Sequence, residues 1–91
     1  MFKKLSKHPF ANAKVEILDN GQRIYLHSYK TVVATLIGGW LIINELYSAT
    51  TRKHISAFMK EYCHSTYQVA KQLYEEGLTL NINTHEYRQI K

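Results

Sequence analysis

The chain has 91 residues, 45% hydrophobic and 21% charged, with a formal net charge of +5 and a pI near 9.4. That length holds one modest core rather than two, and that composition is ordinary for a soluble globular protein, with disorder expected only at the ends. The basic balance permits contact with nucleic acid or an acidic protein surface without demanding either.

Cys63 is the only cysteine, so no intrachain disulfide forms and the chain reads as intracellular and cytoplasmic. The longest apolar stretch, Val32 to Ile43, is interrupted by Gly38-Gly39 and falls short of the roughly 18 apolar residues of a membrane span. Met1–Lys7 is basic, with no apolar signal core behind it. No membrane contact is expected.

The whole chain, 1–91, is read as one domain. Residues 1–11 form a basic N-terminal segment holding Lys3, Lys4 and Lys7, and they read as a solvated end. Residues 12–46 form a β-meander of two hairpins. Asn20-Gly21 lies between two alternating runs, and both residue types tolerate the positive φ of a two-residue hairpin turn. The turn sets Leu18 opposite Arg23, Ile17 opposite Ile24, Glu16 opposite Tyr25, Val15 opposite Leu26 and Lys14 opposite His27. Val15, Ile17, Ile24 and Leu26 then share one face, and Lys14, Glu16, Arg23, Tyr25 and His27 the other. A slip of one residue would exchange the faces.

Gly38-Gly39 is a second hairpin signal, pairing Ile37 with Trp40, Leu36 with Leu41, Thr35 with Ile42 and Ala34 with Ile43. Here both faces are apolar: Val32, Ala34, Leu36, Leu41 and Ile43 on one, Val33, Ile37, Trp40 and Ile42 on the other. Strands of that kind are usually covered on both sides. A terminal segment, the second helix, the closing strand or a second copy of the protein is the expected cover.

Residues 48–77 form two helices. Ile55, Phe58, Met59, Tyr62 and Cys63 recur at helical spacing, with Arg52, Lys53, Ser56 and Lys60 on the opposite side. Ser48 or Thr50 can cap this helix. The second starts near Ser65, where Ser65-Thr66-Tyr67-Gln68 has capping-box spacing, buries Ala70, Leu73 and Tyr74, and stops at Gly77. Residues 78–91 hold a short closing strand through Leu78, Leu80 and Ile82 and a polar tail, loose over 84–91. The fold class is therefore α+β: a four-stranded antiparallel meander, two helices and a short closing strand.

No catalytic set emerges. The five histidines lack metal-ligand spacing, so no metal or other cofactor is expected. Cys63 falls in a buried stripe and reads as a small core side chain. Ser48, Thr50 and Thr51 near His54 are explained by helix capping, although an enzyme, were this one, would centre on Tyr47, Thr51, Arg52 and His54. Two binding surfaces remain. Lys14, Arg23, Tyr25 and His27 mix cations and rings on one strand face in the manner of nucleic-acid platforms, and Lys53 and Lys60 add a basic helix face. Trp40 and the tyrosines are interface residue types.

The segments Leu26-x-Ser28-Tyr29-x-Thr31-x-Val33-Ala34, Trp40-Leu41-Ile42-x-Asn44 and Tyr47-Ser48-x-Thr50-Thr51-x-x-His54-Ile55-x-x-Phe58 resemble a family of small proteins of phages and plasmids in Gram-positive bacteria. The resemblance covers about residues 13–76. It implies a mobile-element origin, a small sheet followed by a helix, and an unassigned activity, and it points to Tyr47, Ser48, Thr50, Thr51, Arg52 and His54. With Trp40 these form the expected protein-binding set. The function expected is a non-enzymatic interaction module that binds a host or element-encoded protein, an anti-CRISPR-like inhibitor of host defence being one such role. The alternative is a nucleic-acid-binding accessory protein.

Overall fold

A computed structural model describes residues 1–5, 12–46 and 48–90. Among them the strands are β1 (Phe2–Lys3), β2 (Ala13–Leu18), β3 (Arg23–Ser28), β4 (Thr31–Ile37), β5 (Trp40–Ile43), β6 (Leu78–Asn81) and β7 (Tyr87–Gln89). They build one seven-stranded antiparallel sheet whose spatial order is the chain order. Two helices, α1 (Ala49–Tyr62) and α2 (Tyr67–Glu76), are inserted between the adjacent strands β5 and β6.

Both hairpins have the registers their turns imply. Asn20 (φ 55°, ψ 34°) and Gly21 (φ 93°) take the left-handed turn conformation, and Leu18 pairs with Arg23 through to Lys14 with His27. Gly38 and Gly39 (φ 57° and 87°) do the same for β4 and β5. The expected four-stranded meander is thus the middle of a wider sheet.

Three expectations are corrected. The basic N-terminus is not all solvated: β1 pairs with β2, the Ile17 N–H donates to the Met1 carbonyl at 2.8 Å, and Leu5 is fully buried. Residues 87–89 of the tail form β7, because a strand on the sheet edge needs only ladder hydrogen bonds and tolerates polar side chains. In β4 the strict alternation breaks. His27 pairs with Val32 and Leu26 with Ala34, so Val33 is the extra residue of a bulge. Val33 turns into the core and Val32 joins the opposite face.

α1 packs on β3 and β4, and α2 on β5 and β6. Ile55, Phe58, Met59 and Leu73 meet Val15, Leu26, Leu36, Leu41 and Leu80 in one core. The Ser48 side chain caps α1 by accepting the Thr51 N–H at 3.1 Å. α2 starts one residue later than its capping-box spacing suggests. Thr66 is the N-cap, with no side-chain cap bond. Tyr74 of its expected buried stripe is 42% exposed, since a ten-residue helix lying on β5 and β6 buries a narrow stripe. Gly77 ends α2 in the left-handed conformation.

Candidate functional site

The two halves of the sequence motif come together at the start of α1. Ser28, the last residue of β3, continues the inward alternation of Ile24 and Leu26 and points its hydroxyl into the core. Its Oγ lies 2.8 Å from His54 Nδ1 and 3.3 Å from Thr51 Oγ1. The Ser48 hydroxyl, besides capping the helix, donates to Thr51 Oγ1 at 3.2 Å. Ser28, Thr51 and His54 are all buried. Burial lowers the His54 pKa and so favours the neutral imidazole in a network of hydroxyls. Tyr29, with φ 59°, turns the chain into β4 and sets its ring 6.2 Å from that of His54.

A hydroxyl bonded to an imidazole is the first step of a nucleophile–base pair. Here both groups are 1–2% exposed, and a substrate has no access to them. The network braces α1 against β3 and satisfies its own polar groups. Beside it a cleft of about 620 Å³ is lined by Asn12, Ala13, Lys14, Tyr29, Lys30 and Thr31.

The protein-binding set read from sequence is therefore dispersed. Thr51 and His54 are buried, whereas Ser48, Thr50 and Arg52 are exposed at the helix start. Trp40 lies on the far face of the sheet, and Tyr47 falls outside the described residues. The basic set divides as well. Lys14, Arg23, Tyr25 and His27 share the far sheet face, as alternation implies. Lys53 and Lys60 are exposed on α1, which packs on the opposite face.

Among the described residues that far face is open. Both helices cover the side of Leu26, Leu36 and Leu41. On the other side Tyr25, Thr35, Trp40 and Ile42 are half-buried by their strand neighbours alone, among the described residues, and Ile37 is exposed. Glu16 Oε1 meets His27 Nε2 at 3.1 Å. Asp19 holds Arg23 at 2.6 Å, and that bond raises the guanidinium pKa. Two further cations rest on rings: Lys14 Nζ lies 4.6 Å from the centroid of Phe2, and Arg88 Cζ 4.6 Å from that of Trp40.

Sequence reading missed Ser28, Phe2 and Arg88. Ser28 carried a signal, a polar residue at an inward position of an alternating strand. Phe2 and Arg88 lie on edge strands with no periodicity to find. Cys63 is buried, and burial pushes its thiol up to about 12. Among the described residues no cluster of three or more His, Cys, Asp or Glu could hold a metal. No helix among them is long and apolar enough to cross a membrane.

Fold and site define a small α+β protein with one sheet face covered by two helices and the other, among the described residues, open. The chain belongs to a family of unknown function, DUF8033, whose model matches residues 3–76. The match ends with α2, before β6 and β7. No curated protein and no solved structure matches the chain.

Proposed function

We propose that this protein is a non-enzymatic interaction module of a phage or plasmid of Gram-positive bacteria, acting in the host cytoplasm through the open face of its sheet. One observation carries the reading: with both helices on one side, Tyr25, Trp40 and Ile42 on the other are covered by nothing beyond their own sheet among the described residues. Aromatic and arginine side chains on such a surface are the types that dominate binding energy. A host or element-encoded protein is one partner for that face, and inhibition of a host defence complex, in the manner of anti-CRISPR proteins, is one role it would serve. A second copy of the chain is another. Nucleic acid is the reading favoured by a specific observation, the two cations on aromatic rings.

Affinity capture from host lysate with the wild type, Ile42→Lys on the open face and Lys53→Glu on α1 tests the module. Loss of capture in Ile42→Lys alone, with melting unchanged, supports it. Capture unaffected by Ile42→Lys overturns it, as does substrate turnover that Arg52→Ala abolishes.

A further inference from the structure

The open face orders its charges and rings in a way that suits one class of occupant. Lys14 on β2 and Arg88 on β7 stand five strand spacings apart, about 24 Å at roughly 4.8 Å per strand. Each rests on a ring, Phe2 and Trp40 respectively. The rings of Tyr25 and His27 lie between them on β3. Of the acids of this face, Asp19 is paired with Arg23, and Glu16 is hydrogen-bonded to His27, a partner that carries charge only when protonated. Neither Lys14 nor Arg88 has a carboxylate partner among the described residues. What the face offers a ligand is therefore positive charge at its two ends and flat rings between, with one carboxylate, Glu16, held against His27.

The complementary molecule carries repeated negative charge alternating with flat groups. Single-stranded nucleic acid has that pattern: phosphates for the cations, and bases for aromatic rings and guanidinium planes. A duplex supplies the phosphates but keeps its base faces in the stack. Reading its grooves needs a projecting helix or ribbon, and this flat face projects none. We infer that the open face binds single-stranded DNA or RNA, with Tyr25 and the Arg88–Trp40 pair taking bases and Lys14 and Arg88 taking phosphates. The inference rests on this face being the contact surface of the module.

Trp40 is the only tryptophan, so its emission reports the site directly. The full chain is titrated at about 50 mM salt with oligothymidylate, with oligouridylate and with a mixed-sequence duplex. All are about 20 nucleotides long, beyond the roughly 4–16 nucleotides of one single-strand platform. Either single strand is expected to quench Trp40 and to bind more tightly than the duplex, and the ratio of the two affinities assigns the sugar. Two phosphate contacts at a slope of about 0.7 each weaken binding about sevenfold between roughly 50 and 200 mM salt. Tyr25→Ala is expected to weaken binding roughly 5- to 150-fold, the loss of one stacked base, while Tyr25→Phe retains it. Lys14→Gln lowers the salt slope by about 0.7.

Absence of quenching and binding at low salt overturns the inference, and so does a preference for duplex. Binding lost in Lys53→Glu but kept in Tyr25→Ala and Lys14→Gln also overturns it, by moving the contact to α1. If the strands fail while Ile42→Lys abolishes capture of a nuclease-resistant protein, the contact face stands and its occupant is protein. If Ile42→Lys changes nothing either, the face itself falls.

Discussion

Leu41 and Ile42 are neighbours on one strand and close in size, yet Leu41 is fully buried and Ile42 half-exposed to the far side. The two faces of this sheet differ less in their apolar content than in what stands over them. Over Leu41 is α2, with the core side chains that both helices bring; over Ile42 there is no described element. Alternation thus gives a central strand two candidate cores, and the placement of the helices decides which one stabilises the fold. The other is left to act as a surface.

Substitutions on the two faces should separate accordingly. The largest effect belongs to Phe58, fully buried on α1 under the covered face: Phe58→Ala costs about 3–5 kcal/mol, enough to abolish cooperative melting in a marginal domain. Leu41→Ala follows at about 2–5 kcal/mol, whereas Ile42→Thr costs about 1 kcal/mol or less, within the range of strand propensities. Equal losses in denaturant titrations of this pair would break the distinction between the faces.

The brace beneath the covered face comes next. Ser28→Ala removes a partner from buried His54 and Thr51 and costs about 1–3 kcal/mol. The brace also sharpens the comparison through pH. Burial lowers the His54 pKa below its ordinary 6.5, so the unfolded chain binds the proton more readily. The associated stability is fully present above pH 6.5 and declines as pH falls below it, by at most about 1.4 kcal/mol per pH unit. Urea midpoints between neutral and mildly acid pH measure this. An equal decline in His54→Gln would show that other groups carry it.

The central part of this architecture was legible because its signals are local. Asn20-Gly21 and Gly38-Gly39 set both registers, the helical spacing from Ile55 to Cys63 placed α1, and Gly77 marked the end of α2. The edges were not. Phe2-Lys3 is too short for a period, and Tyr87-Arg88-Gln89 is polar because edge strands bury little. The bulge at Val33 defeated a strict period of two. Coverage was beyond the sequence as well: nothing local in β5 says on which side a helix several residues later will lie. For the site, alternation placed Lys14, Arg23, Tyr25 and His27 together. The contact of Ser28 with His54 spans 26 residues and needed the fold. The capping pattern of Ser48 was visible, but its link through Thr51 to a buried histidine was not.

The uninterrupted chain order of the strands bears on how the molecule assembles. Each hydrogen-bonded strand pair up to β5 joins sequence neighbours, so these pairings close short loops and form at little entropic cost. β6 alone must wait for the chain to travel through both helices before it meets β5. The β6–β7 hairpin is then the late element of folding, and Arg88 reaches Trp40 only when it docks. The emission of the single tryptophan therefore times the final closure of the sheet rather than its early collapse.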